Sequence, residues 1–201
     1  MKYTSVILAG GYSRRFGKDK TLAKIHGKGL TDFLVDTLYD VSHEIFVVCK
    51  DKQKFNISER YILIKDIYNA QSPLVGIITA MKCVSKKHLF IISADSPFLK
   101  VDVVEKLSKY AKKYDIVLPY INGKIYTLCG FYKRKLLPML DNYYKKGVYK
   151  LVDIFSGMDV KYLDETVFMD VDPGLHSFIN INTVEDFEYA KKIFEKNNLQ
   201  V

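Results

Sequence analysis

At 201 residues the chain fits one domain of ordinary size, and 48% hydrophobic with 27% charged residues is the balance of a globular protein that buries a real core. Its net charge of +8 comes from lysines spread in pairs along the chain, with no basic stripe interleaved with aromatics, which argues against a nucleic-acid surface. Three scattered cysteines without a CxxC pair and four histidines without ligand spacing argue against a disulfide framework or a zinc site. With no leader pattern and no apolar run of about 18 residues, the expectation is a cytoplasmic protein with no membrane contact.

Tyr3 to Ala9 is a short β-rich run, apolar on both faces, as a buried parallel strand would be. Residues 8 to 20, LAGGYSRRFGKDK, then place glycines and four cations in one loop. Leu30 to Val41 has helical spacing, and Glu44 to Cys49 and Tyr61 to Lys65 read as strands. Asp66 to Pro73 is a loop, followed by an amphipathic helix over Leu74 to Cys83. His88 to Ser93 is a fourth strand, Asp102 to Tyr110 a helix and Asp115 to Pro119 a fifth strand. Beyond it a strand is expected over Lys124 to Tyr132 and a helix over Leu136 to Tyr144. Short edge strands are expected at Val160 to Leu163 and Val167 to Val171, and a last helix over Thr183 to Lys196 with an acidic capping box. The alternation predicts a single α/β domain: a three-layer αβα sandwich around a mostly parallel sheet. No linker divides residues 1–201.

Ligands of open α/β sheets bind where the strands end at their carboxyl side. The glycine loop, Asp66 and Asp95 each follow a strand, so all three are expected on one edge. The loop matches neither GxGxxG nor a Walker loop, because Gly10 and Gly11 are adjacent and Gly17-Lys18 is followed by Asp19. Its physics is that of a phosphate cradle: glycines admit backbone N–H groups to phosphate oxygens, and Arg14, Arg15, Lys18 and Lys20 supply positive charge. A basic surface loop is the plainer alternative. Asp95, before Ser96-Pro97, is placed to hold Mg²⁺ or else to serve as a turn or N-cap residue. Asp66 reads equally as a turn cap. Asn180 and Asn182, among Phe178, Ile179 and Ile181, either tie neighbouring loops together or meet a ligand.

Together these stretches resemble the molybdenum cofactor guanylyltransferase (MobA) family. The family signature LAGGxSxRxGxDK is matched at Leu8, Ala9, Gly10, Gly11, Ser13, Arg15, Gly17, Asp19 and Lys20. Ser72-Pro73-Leu74-Val75-Gly76, Asp95-Ser96-Pro97 and Asn180-Ile181-Asn182-Thr183-Val184-Glu185-Asp186 match its later elements in order. The resemblance implies a Rossmann-like fold of the nucleotide-diphospho-sugar transferase type, with a nucleotide-binding half over about 1–119 and an acceptor-binding half over about 120–201, and Mg²⁺-dependent transfer of GMP from GTP to molybdopterin, releasing pyrophosphate. It implies nucleotide contacts at Leu8, Ala9, Gly10, Gly11, Ser13, Lys20, Asp66 and Asp95, with Asp95 holding Mg²⁺. It further implies catalytic roles for Arg15, Lys20 and Asp95, acceptor contacts at Asn180 and Asn182, and proteins that deliver or accept the cofactor as partners. Two departures bear on the acceptor: Ser72 stands where the family has glycine, and Tyr126-Thr127 where it often has His-Pro. Use of CTP or a sugar phosphate on the same fold, and a non-catalytic GTP-binding module, are the alternative readings.

Overall fold

The computed structural model describes residues 3–10, 23–55 and 58–198. Strand β1 (Tyr3–Leu8) is buried along its whole length. A hairpin of β2 (Lys24–Ile25) and β3 (Lys28–Gly29) leads into α1 (Leu30–Tyr39). Then come β4 (Ser42–Cys49), β5 (Ile62–Lys65), α2 (Pro73–Cys83), β6 (His88–Ser93), α3 (Val101–Ala111) and β7 (Ile116–Ile121). The second half adds β8 (Lys124–Ile125), β9 (Cys129–Lys133), α4 (Leu137–Lys145), α5 (Leu151–Phe155), β10 (Val160–Asp164) and α6 (Val184–Asn198). No helix among the described residues is long and apolar enough to cross a membrane.

The large sheet runs β10-β7-β9-β6-β1-β4-β5, with β8 pairing onto β7. β1 is parallel to β4 and β6, β5 to β4 and β10 to β7, while β9 runs antiparallel between β6 and β7. Because β1 alternates its side chains, Ile7 joins the core under α1 and α3 with Leu34, Leu38, Val103 and Leu107. Val6 and Leu8 join the opposite core under α2, α4 and α5 with Leu74, Ile77, Leu140 and Phe155. Helices therefore cover both faces, as the all-apolar strands require. A third cluster, including Ile25, Phe98, Ile181, Phe187 and Ile193, seats α6.

Two expected strands are corrected. Lys124 to Tyr132 is two strands, because Tyr126 to Gly130 stand opposite only Leu118 and Pro119 of β7. Pro119 has no N–H for the ladder, so the chain bulges there, and the Tyr126 N–H donates to the Pro119 carbonyl at 3.0 Å. Val167 to Val171 forms no strand: a 3₁₀ turn over Glu165–Val167 ends there, and the Phe168 carbonyl accepts from the N–H groups of Val171 and Asp172. Its apolar residues feed the core locally, with Phe168 fully buried against Phe178. Helix α5 was not expected, although Leu151, Ile154 and Phe155 are buried at helical spacing. The thiols of Cys49 and Cys129 are buried, and that of Cys83 is exposed.

Candidate active site

The parallel strands β1, β4, β5 and β6 end on one edge, and backbone bonds carry their alignment a residue further. Ala9 N–H donates to the Val48 carbonyl at 2.8 Å, Asp66 N–H to that of Cys49 at 2.8 Å and Ala94 N–H to that of Leu8 at 3.0 Å. Leu8 and Ala9 are buried, and the exposed Gly10 opens the edge to solvent. A Cβ at Gly10 would lie 3.5 Å from Asp66 Oδ2 and 3.6 Å from Lys50 Cγ, so the end of β1 and Asp66 are neighbours. Beneath them a Cβ at Gly76 would come within 3.0 Å of Leu8 Cδ2, which explains glycine where α2 passes under β1.

Asp66 neither stands free nor merely caps a turn. Its carboxylate, with its side chain only 5% exposed, pairs with Lys50 Nζ at 2.9 Å and accepts the Thr79 hydroxyl at 3.0 Å. Lys50 also donates to the carbonyls of Tyr68 and Ala70 at 2.8 and 2.9 Å. Neither Lys50 nor Thr79 stood out in the sequence; the available signal was a cation closing an apolar strand and a hydroxyl on a buried helix face. Ser72 caps α2, its hydroxyl oxygen accepting the Leu74 N–H at 3.2 Å and its proton reaching the Tyr149 carbonyl at 3.3 Å. This is the place of serine where glycine was expected: it ties the start of α2 to the loop after α4.

Asp95 sits in the turn leaving β6, half-buried, and does not cap α3, which begins only at Val101. Its carbonyl accepts the Ile181 N–H at 2.8 Å, and the Ser96 hydroxyl lies 3.4 Å from its Oδ1 while donating to Asn180 Oδ1 at 2.8 Å. Asn180 is thereby joined to Asp95, whereas Asn182 is exposed and uses its backbone N–H on Asp186 at 2.7 Å. The acidic capping box is present: Thr183 N–H donates to Asp186 and Asp186 N–H to the Thr183 hydroxyl. The β7–β9 bulge brings Tyr126 to Leu128 to this same edge, where the Ser93 N–H donates to the Leu128 carbonyl at 3.0 Å. Tyr126 packs its ring 5.3 Å from that of Phe178, and burial raises its phenol pKa. Gly11, Ser13, Arg15 and Lys20 lie outside the described residues.

Burial pushes the thiol of Cys49 up to about 11 and that of Cys129 up to about 12, so neither is a thiolate nucleophile at neutral pH. Among the described residues no three His, Cys, Asp or Glu side chains gather into a metal cluster. Mg²⁺ beside phosphates usually takes only one or two protein carboxylates, with its other ligands from substrate and water; Asp95 and Asp66 are carboxylates at this edge, and Asp66 is already paired with Lys50.

Residues 5–160 match the MobA-like NTP transferase domain. A probable molybdenum cofactor guanylyltransferase of Geobacillus sp. (strain WCH70) is 31% identical over 192 residues, covering 93% of this chain and 97% of the relative. The molybdenum cofactor guanylyltransferase of Desulfosudis oleivorans is 30% identical over 190 residues, 94% of each chain. Molybdopterin-guanine dinucleotide biosynthesis protein A from Archaeoglobus fulgidus superposes with a TM-score of 0.84 at 27% identity, over 96% of this chain and 99% of that one. The fold is also that of 2-C-methyl-D-erythritol 4-phosphate cytidylyltransferase from Thermus thermophilus, with a TM-score of 0.73 at 11% identity, over 97% and 100% of the two chains. With most of its length matched, the chain is a nucleotidyltransferase and belongs to the MobA-like NTP transferase family.

Proposed function

We propose that the protein transfers GMP from GTP to molybdopterin, forming the guanine dinucleotide cofactor and pyrophosphate. One observation supports this most: the chain leaves β1 through Gly10, beside Asp66 and on the same edge as Asp95, and it matches relatives named guanylyltransferase over nearly their whole length. The chemistry asks little of a general base. A phosphate monoester is largely dianionic near neutral pH, its second pKa being about 6, and can attack the α-phosphorus directly. Positioning and charge stabilisation then dominate, as in other phosphoryl transfers.

In this reading Leu8, Ala9, Gly10, Gly11 and Ser13 form the backbone cradle, and Arg15 and Lys20 neutralise charge developing toward pyrophosphate. Asp95 would hold Mg²⁺; when bound, the ion supplies charge neutralisation at the phosphates. The Ser96–Asn180 bond fixes the turn that carries Asp95, and Asn180, Asn182, Tyr126 and Thr127 border the acceptor. The test is pyrophosphate release from each nucleoside triphosphate with molybdopterin, with and without Mg²⁺, for the wild type and D95N. Turnover confined to GTP, requiring Mg²⁺ and abolished in D95N is expected. Preference for CTP, or turnover only with a sugar phosphate, would change the reaction assigned. Tight GTP binding without turnover would leave a binding module.

A further inference from the structure

The chemistry above gives Lys50 no task, yet its placement is unusual. An ammonium has three N–H donors. Lys50 spends them on Asp66 Oδ2 at 2.9 Å and on the carbonyls of Tyr68 and Ala70 at 2.8 and 2.9 Å. All three acceptors belong to the short segment from Asp66 to Ser72, which runs from the carboxylate beside Gly10 to the cap of α2. We propose that Lys50 is a positioning residue that clasps this segment from inside and thereby sets the nucleotide side of the site, without itself touching the substrate.

From the outer side the segment is held by Tyr68, whose ring stacks on Tyr144 at 4.2 Å and whose hydroxyl donates to Asp141 at 2.8 Å. The Ser72 hydroxyl adds the bond to the Tyr149 carbonyl. Toward the sheet the backbone is fixed by Asp66 N–H on Cys49, Ile67 N–H on the Thr79 hydroxyl at 3.2 Å, and Lys50. Asn69 and Gln71 are exposed and lie between these anchors. Removing the ammonium leaves two carbonyls without their donor and a nearly buried carboxylate with only the Thr79 hydroxyl opposite it. Asp66 would turn toward water, and the wall next to Gly10 would turn with it.

The inference rests on the guanylyl-transfer reading for its kinetic consequence but not for its structural one, so two readouts separate them. Hydrogen–deuterium exchange of the amides of residues 67–72 would be measured for wild type, K50M and K50R, together with steady-state kinetics on GTP. K50M is expected to exchange about tenfold faster across 67–72, with α3 and β9 unchanged as the control on global folding. It is also expected to raise KM for GTP about tenfold with kcat held within about threefold, the mark of lost binding rather than lost chemistry. K50R should recover most of both, since a guanidinium carries enough donors for the same acceptors. Should K50M fail to fold, K50Q replaces it in the same comparison. Unchanged exchange across 67–72 in K50M overturns the clasp, whatever KM does. A wild type inactive on GTP overturns the guanylyl-transfer reading instead, and exchange across 67–72 then judges the clasp alone.

Discussion

Asp172 is the one fully buried carboxylate among the described residues. Its Oδ2 accepts the Ser177 N–H at 2.8 Å, and Lys100 Nζ stands 3.0 Å from its Oδ1. Burial alone would raise its pKa, but the Ser177 bond and then Lys100 outweigh burial and leave it below the ordinary carboxylate value. The network also takes the Lys100 N–H onto the Ser177 hydroxyl at 3.0 Å, so it locks the segment leading to Asn180 against the one leaving Asp95. D172N should cost about 2 kcal/mol at pH 7, the range of a hydrogen bond to a charged group, with little from Lys100 because its side chain is 42% exposed. A depressed carboxylate contributes its full stability above the unfolded pKa of about 3.9 and loses it as pH falls through the lower folded value. Urea midpoints of wild type and D172N should therefore differ at pH 7 and converge as the pH drops below 4; a constant gap would show that the charge has no role. At this scale the sequence was partly legible. Asp95 drew notice because it follows an apolar strand, and Asn180 because an asparagine in an apolar segment must hydrogen-bond, as it does to Ser96. Lys50 was not, because one lysine among so many carries no mark until its three acceptors are placed around it.

At the scale of elements, helix spacing was the reliable guide: α1, α2, α3, α4 and α6 fall within a few residues of their expected spans, since a buried stripe is a local property. Strand pairing is not local. The run from Lys124 to Tyr132 looked continuous because its apolar residues are continuous, while the feature that breaks it, Pro119, lies on the neighbouring strand. The bulge makes its own demand at Gly130, where a Cβ would stand 2.3 Å from the Val117 carbonyl oxygen and 2.7 Å from Leu118 Cδ2. Backbone cannot give way there as a side chain could. G130A is expected to cost about 3 kcal/mol, at the upper end for an overpacked site. G123A is the control: Gly123 has φ +78 and nothing within 4 Å, so only the left-handed strain of about 1 kcal/mol applies. Equal midpoints for the two variants would mean that β9 can slide away from β7. Because the bulge sets Tyr126 to Leu128 against the end of β6, G130A should also alter acceptor affinity more than GTP affinity.

At the scale of the whole molecule, the sheet gathers the ends of β1, β4, β5 and β6 on one edge from segments far apart in sequence, so a ligand bound there bridges elements that unfolding separates. Such a ligand stabilises the native state by RT ln(1 + [L]/Kd), about 2.7 kcal/mol at a hundred times Kd. For a domain of about 200 residues that is a rise in Tm of about 5–10 °C. GTP with Mg²⁺ is expected to give this rise, with ATP, CTP and UTP giving less, and GTP alone giving only part of it. D95N should keep the unliganded Tm within a few degrees, because the turn is held by backbone bonds that the substitution keeps, Ala94 N–H on the Leu8 carbonyl and Ile181 N–H on the Asp95 carbonyl, yet lose the increment due to Mg²⁺. Parity of GTP and CTP would remove the base selectivity from the proposed reaction while keeping the site. An undiminished Mg²⁺ increment in D95N would move the ion to other ligands. One melting series therefore separates the proposed base selectivity, read from GTP against CTP, from the proposed role of Asp95, read from the Mg²⁺ increment lost in D95N.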